Sequence, residues 1–170
     1  MIIQAPYLVF LGDATDKLSI KMAQGVADWR AQLCIGEMSV PGCTVTTGLE
    51  QMDIPRAAKL GAKTFVLGFA NSGGYLEAKW VPYIQEALKH GMDVVSGLHD
   101  KLTDVSDIRQ MAQSLGRQLI DIRHPSEKFK TGTGKERVGK RLLTVGTDCS
   151  VGKMYTSLAI EKHLKAQGVS

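Results

Sequence analysis

Short apolar runs alternate along the chain with segments whose apolar residues recur every three or four positions. The runs predict buried strands, and the periodic segments predict helices with one buried face. Strands are expected at 6–11, 33–35, 64–69, 92–95 and 118–122, and helices at 17–32, 56–60, 77–89 and 104–115. This alternation favours α/β architecture: a Rossmann-like parallel sheet with helices on both faces.

Two stretches of this domain carry more specific expectations. The first helix should bury the stripe formed by Leu18, Met22, Val26 and Trp29, which recur at helical spacing. Between residues 37 and 52 the pattern is weak, which indicates turns and loop with room for one short strand.

The composition changes after residue 124. Residues 125–139 contain few apolar side chains and three glycines, which is typical of a linker. Residues 140–170 then supply an apolar strand at 142–145 and a helix at 153–167, the start of a second α/β domain. Because one strand and one helix cannot bury a core, we expect a fragment of a longer chain, or a missing half supplied elsewhere.

The junction between the last strand and the last helix is bracketed by two glycines and followed by a lysine. Such a loop turns successive N–H groups towards one point at the positive end of the helix dipole, which suits a phosphate or pyrophosphate. The alternative is a plain strand-to-helix turn. The residues assigned to this binding loop are Gly146, Thr147, Asp148, Cys149, Ser150, Val151, Gly152, Lys153 and Met154.

The spacing within this loop departs from the common phosphate-loop pattern. Gly146 and Gly152 are too far apart to match G-x-x-x-x-G-K-[ST] from Gly146. Met154 stands where such loops usually carry a Ser or Thr that holds Mg²⁺. Phosphate binding is therefore better supported than magnesium-dependent hydrolysis of a nucleotide.

Other strand ends in the first domain also offer polar groups. The carboxyl ends of parallel strands form the edge where ligands bind in doubly wound sheets. His99 follows the fourth strand, where a lone histidine could also be a surface residue that only forms hydrogen bonds. Gly73 and Gly74 follow the third strand and could also form a simple turn. The residues expected to bind substrate at this edge are Asn71, Ser72, Gly73, Gly74 and Arg123.

Bulk composition narrows the function classes. Hydrophobic residues make up 44% and charged residues 22%, as in ordinary globular proteins, and the net charge of +4 is too small to indicate nucleic acid. Three cysteines without metal-ligand spacing favour a reducing cytoplasm, and neither a signal peptide nor a membrane span is recognisable. We expect small-molecule ligands, no metal, no membrane partner, and a homo-oligomer.

Four stretches resemble one family. They are GFANSGG at 68–74 with Trp80 after it, SGLH at 96–99, DIRHP at 121–125 and VGTDCSVGKM at 145–154. The chain resembles a bacterial and archaeal family long described as a domain of unknown function. Its members pair a Rossmann-like domain with a phosphate-loop domain, and some are identified as D-glutamate N-acetyltransferases.

The resemblance implies transfer of an acetyl group from acetyl-CoA to the amino group of D-glutamate. The glycine loop would hold the phosphates of CoA without hydrolysing them, which agrees with Met154. His99 or Asp148 is the candidate catalytic base, and Arg123 or Lys17 the candidate partner of a substrate carboxylate. Backbone N–H groups at 72–74 are candidate donors to the thioester oxyanion.

Two further interpretations stay open. Cys149, near a helix N-terminus and a lysine, could accept the acetyl group, or could be a small residue packed in a tight loop. The loop also resembles that of dethiobiotin synthetase, which implies an ATP- and Mg-dependent kinase, ligase or NTPase. A nucleotide-binding module without turnover is the remaining alternative.

Overall fold

The computed structural model describes residues 2–124, 131–136, 138–148 and 151–169. The chain divides into two compact units, Met1–Lys128 and Phe129–Ser170. Residues 125–130 of the predicted linker lie outside the described ranges.

The first unit contains a five-stranded parallel sheet in the order β2-β1-β3-β4-β5. The strands are β1 Tyr7–Gly12, β2 Cys34–Ser39, β3 Thr64–Leu67, β4 Asp93–Ser96 and β5 Leu119–Asp121. The helices are α1 Lys21–Arg30, α2 Ile54–Lys59, α3 Val81–Lys89 and α4 Ser106–Ser114, with single 3₁₀ turns at Ala31–Leu33, Ala78–Trp80 and Leu102–Asp104. The Rossmann-like prediction is confirmed.

Helices cover both faces of this sheet. On one face α2, α3 and α4 pack against a continuous core centred on Phe10, which stacks on Phe65 with ring centroids 5.1 Å apart. On the other face α1 packs over β1, where Val9 and Leu11 are fully buried. Because helices cover both faces of these strands, side chains on both faces are buried. The strands therefore appear in the sequence as continuous apolar runs.

The first helix is shorter than predicted, and Met22, Val26 and Trp29 of the predicted stripe are half-buried in it. It spans Lys21–Arg30 and buries Ala23 and Ala27, whereas Leu18 is 73% exposed and lies ahead of the helix. Asp16 accepts hydrogen bonds from the backbone N–H and the hydroxyl of Ser19, at 2.9 and 2.6 Å. Lys21 N–H then donates to the carbonyl of Leu18 at 3.2 Å, an i→i−3 turn, and the regular α-helix begins only after this turn.

The second strand is longer than predicted because Gly36 and Glu37 interrupt its apolar pattern without ending it. A Cβ on Gly36 would lie 2.5 Å from the carbonyl oxygen of Glu50. The missing side chain lets the segment at 50–52 pair alongside, with Glu37 N–H donating to Glu50 and Met52 N–H donating to Glu37. The weak pattern over 37–52 thus hides an extension of the strand.

The second unit contains one described helix, α5 Lys153–Ala166, close to the predicted 153–167. The predicted strand at 142–145 is wrong: Leu142, Leu143 and Val145 are 71, 82 and 79% exposed, and no strand forms there. A strand is stabilised by the neighbours that share its hydrogen bonds. The described part of this unit contains no strand that could pair with residues 142–145.

Candidate functional site

The strand order reverses between β1 and β3, which makes their carboxyl ends the topological switch point of the sheet. The loops that leave these strands diverge there and border a cavity of about 180 Å³ that is open to solvent on one side. Leu11, Phe69 and Trp80 form its apolar wall. We call it the switch-point cavity.

Close packing between α1 and the sheet positions the segment that leads from β3 into this cavity. Ala23 N–H donates to the carbonyl of Gly68 at 3.1 Å, and a Cβ on Gly68 would lie 2.7 Å from the Cβ of Ala23. Gly68 therefore has to lack a side chain for the helix to sit where it does. One step further on, Ala70 N–H donates to the carbonyl of Ser19 at 2.7 Å and joins the two cavity walls.

A small charge cluster contains two residues that line the cavity, Asp13 and Glu77, and one that does not, Lys79. The ammonium of Lys79 is 2.9 Å from Asp13 Oδ2 and 2.9 Å from Glu77 Oε2. Asn71 Nδ2 donates to Glu77 Oε1 at 3.1 Å. The hydrogen bond from Lys79 lowers the pKa of Glu77, and the hydrogen bond to Asp13 raises the pKa of Lys79.

Two buried polar atoms on cavity-lining residues have no hydrogen-bond partner among the described residues. They are the indole N–H of Trp80 and the amide oxygen Oδ1 of Asn71. Buried donors and acceptors are normally paired, because leaving one unpaired costs free energy. Both atoms are covered by neighbouring protein atoms, so neither is open to a ligand in the cavity in this conformation.

The predicted glycine junction contributes in part. Asn71 lines the cavity, whereas Ser72 and Gly73 are exposed and are not among the lining residues. Gly74 N–H donates to the carbonyl of Asn71 at 3.0 Å, so it closes a turn and is not available to an oxyanion.

The loops after β3, β4 and β5 are tied together around His99. Its backbone N–H donates to the carbonyl of Gly74 at 2.8 Å, and its carbonyl lies 2.9 Å from Nε2 of His124. His99 and the neighbouring Arg123 are both exposed, as is Lys17 in the turn before α1. The structure thus groups Gly74 and His99, outside the lining of the switch-point cavity.

The second unit places the glycine loop at the N-terminus of α5. Gly152 precedes the helix with φ +93°, and a Cβ on Gly146 would lie 2.6 Å from Val151 Cγ2. The ammonium of Lys153 donates to the carbonyl of Asp148, within the loop. Cys149 and Ser150 lie outside the described residues.

Thr144 contacts the first two turns of α5 through its side chain. Its hydroxyl donates to the carbonyl of Lys153 at 3.2 Å and lies 2.7 Å from Ser157 Oγ. Thr147 is exposed, and Met154 is 58% exposed and presents no hydroxyl to a metal ion.

Sequence reasoning missed Asp13, Glu77 and Lys79. Asp13 comes directly after β1, so strand order alone would have placed it at the switch point. Lys79 is 66 residues away in the chain, and nothing local links the two.

Sequence reasoning also missed Glu37, which is fully buried. Its carboxylate accepts hydrogen bonds from Thr46, from the N–H and hydroxyl of Thr47, and from Gln51. The loop that it fixes carries Thr44, whose N–H and hydroxyl donate to the carbonyls of Ala14 and Thr15, respectively, each at 3.0 Å. A buried carboxylate thus holds one wall of the switch-point cavity.

The described ranges contain neither a metal-binding cluster nor a membrane-spanning helix. No group of three His, Cys, Asp or Glu side chains there could hold a metal ion. No described helix has the length and apolar character needed to cross a bilayer.

The fold and its two sites define a class: a Rossmann-like α/β domain followed by a glycine-bracketed loop at a helix N-terminus. Residues 38–125 match the model for the DUF1611_N domain of unknown function, a Rossmann-like domain. Residues 128–170 match the companion DUF1611_C P-loop domain. The chain belongs to this DUF1611 family, as the motifs predicted.

Named relatives extend over the whole chain. A D-glutamate N-acetyltransferase from Pseudoalteromonas sp is 66% identical over 169 residues, which cover 99% of this chain and 51% of that protein. A protein of the same name from Tritonibacter scottomollicae is 47% identical over 167 residues, 98% of this chain and 50% of that protein. The chain spans about half the length of the curated relatives it matches.

A solved structure agrees on the fold. The crystal structure of a DUF1611 family protein from Anabaena variabilis aligns with a TM-score of 0.75 at 23% identity, covering 97% of this chain and 51% of that one.

Proposed function

We propose that the full-length protein transfers an acetyl group from acetyl-CoA to the amino group of D-glutamate. The observation that carries this proposal is the 66% identity to a D-glutamate N-acetyltransferase over 99% of the chain, which includes both candidate sites. The geometry of the two units supports it in different ways.

The loop from Gly146 to Lys153 suits the pyrophosphate of CoA. It opens at the N-terminus of a 14-residue helix, where backbone N–H groups and the helix dipole favour an anion. Lys153 already points its ammonium into the loop, and a phosphate oxygen would replace the carbonyl of Asp148 as its partner. Acetyl transfer needs no phosphate hydrolysis, so Met154 in place of a metal-binding hydroxyl is no obstacle.

The transfer itself requires few groups from the protein. The neutral amine attacks the thioester carbonyl, so that a C–N bond forms and the C–S bond breaks. A base takes one proton from the amine, and a proton is returned to the departing CoA sulfur, which leaves as the thiol. A base near the amine is therefore needed. His99 and Asp148 are the proposed candidates for this base, and Arg123 for a carboxylate partner.

Two further proposals concern the setting of the reaction. We place it in the cytoplasm, because the free thiols of Cys34 and Cys43 suit a reducing compartment. We also expect a homo-oligomer, which light scattering on the full-length protein would establish.

The test is turnover by the purified full-length protein with acetyl-CoA and either D- or L-glutamate. Thiol release is followed by its reaction with a chromogenic disulfide, and the product by mass spectrometry. We expect equal amounts of CoA and N-acetyl-D-glutamate, with little product from the L isomer. A parallel reaction contains ATP and Mg²⁺: nucleotide consumption without acetyl transfer would replace this proposal by the ATP-dependent one.

A further inference from the structure

We propose that the outer edge of β5 pairs with the β5 edge of a second copy of this chain. The two strands run antiparallel across a two-fold axis, so that two five-stranded sheets join into one. This pairing does not depend on the proposed reaction, and it gives the expected homo-oligomer a defined surface.

The two outer strands of the sheet differ in what covers their edges. Beside β2 lies the segment at 50–52, with a parallel bridge between Glu37 and Gln51. Beside β5 the described ranges contain β4 on the inner side and no bridge on the outer side. An uncovered strand edge presents unpaired N–H and C=O groups, which makes it a template for pairing with another chain.

The outward backbone groups of β5 belong to Leu119 and Asp121. Val94 N–H donates to the carbonyl of Gln118 at 2.9 Å, so the even-numbered residues of this segment turn their backbone groups towards β4. The groups of Leu119 and Asp121 therefore point away from the sheet. The Asp121 carbonyl accepts the N–H of His124 at 3.1 Å, whereas both groups of Leu119 lack a partner within the part of the chain that the structure describes.

These outward groups are complementary to those of a second copy. With the two Leu119 residues facing each other at the axis, each N–H donates to the other carbonyl, as in a hydrogen-bonded antiparallel pair. The same register places Arg117 opposite Asp121 of the second copy, on one face of the joined sheet and close enough to interact. Because of the symmetry, this pair of opposite charges occurs twice.

The side chains of this charge pair have capacity for the added contact. Arg117 is exposed, and its Nη1 donates to the carbonyl of Gly91 at 3.0 Å, which leaves other guanidinium donors for a carboxylate. Asp121 accepts one hydrogen bond on each oxygen, from Leu102 N–H and the Thr103 hydroxyl, and a carboxylate has about four acceptor positions. Charge complementarity thus favours a second copy as the occupant of this edge.

A groove of about 400 Å³ follows the outer side of β5 and has room for the added strand. Ile2 lines this groove beside the strand and is 86% exposed. A strand that fills the groove removes this apolar side chain from water in both copies, which stabilises the pair.

Light scattering on the full-length protein over a dilution series tests the pairing with two variants. Leu119→Pro removes the outward N–H without removing a bond to β4. The assembly then loses two hydrogen bonds, and its dissociation constant should rise about thirty-fold. Ile2→Lys places a charge in the groove, leaves the strand intact, and should raise the constant about ten-fold or more. Leu60→Lys is the matched control, a lysine in place of an exposed apolar side chain at the end of α2, and should change the constant less than about two-fold.

Hydrogen exchange of the wild-type protein provides a measurement that needs no variant to fold. The amide of Leu119 should exchange about ten-fold more slowly in the concentrated assembly than after dilution to monomer. The amide of Gly68, which donates to the carbonyl of Phe10 within the sheet, should not change. A monomeric full-length protein, an assembly unchanged by Ile2→Lys or by a folded Leu119→Pro, or exchange at Leu119 that is independent of concentration would overturn the pairing. None of these measurements involves turnover, so their failure would leave the proposed reaction standing.

Discussion

Gly74 and His99 lie in direct contact: a Cβ built on Gly74 would come within 2.2 Å of Cδ2 of the His99 ring. The same glycine has φ +66°, and its carbonyl accepts the backbone N–H of His99. The absence of a side chain at Gly74 thus allows the loops after β3 and β4 to meet.

Gly74→Ala should lower the free energy of unfolding by about 2 kcal/mol or more, because it combines an unfavourable backbone conformation with overpacking against His99. Gly91→Ala is the control: its φ of +82° is similar, yet nothing lies within 4 Å of the added Cβ. That variant should lose only about 1 kcal/mol. Urea unfolding measures both, and equal losses would show that the contact with His99 adds nothing.

Glu37 is expected to be the most sensitive carboxylate of the first unit. Glu37→Ala leaves buried donors of Thr46 and Thr47 without their acceptor, and should lower the free energy of unfolding by about 3 kcal/mol. The control is Glu50→Ala, whose exposed side chain pairs with Arg56, with an expected loss of about 0.5 kcal/mol or less. Similar urea midpoints for the two variants would contradict the structural role of Glu37.

Glu77 should titrate below the ordinary range of a glutamate. The hydrogen bond from Lys79 is the largest cause of its lowered pKa, followed by the bond from Asn71. A carboxyl group whose pKa is lowered on folding adds stability above its unfolded pKa, and this stability is lost as the pH falls through the folded value. A ¹³C NMR titration of the Glu77 carboxyl carbon measures its pKa, which should rise in Lys79→Met. An unchanged pKa in that variant would show that the hydrogen bond from Lys79 does not lower it.

Local sequence patterns predicted much of the fold. Apolar runs located the parallel strands, and the start of α5 at Lys153 followed from the glycine and lysine that precede it. Asn71 was placed at the carboxyl edge of the sheet by the same reasoning, and it lines the cavity there, while its role in binding substrate stays a prediction. These features depend on neighbouring residues, so one sequence is enough to indicate them.

The remaining features depend on distant parts of the chain. Asp13 and Lys79 pair across 66 positions, and β2 continues through Gly36 only because the segment at 50–52 lies beside it. The apolar run at 142–145 has the pattern of a strand, but pairing decides whether a strand forms. Periodicity reports which residues suit burial and does not report which partner will bury them.

The central proposal is that the glycine loop at the start of α5 binds the acetyl donor. The most direct test compares KM values of the full-length protein in Lys153→Ala and in Lys165→Ala, which removes an exposed lysine of the same helix. We expect Lys153→Ala to raise the KM for acetyl-CoA about ten-fold with little effect on the KM for D-glutamate, and Lys165→Ala to change neither. An unchanged KM for acetyl-CoA in Lys153→Ala, or equal effects of the two variants, would contradict the account.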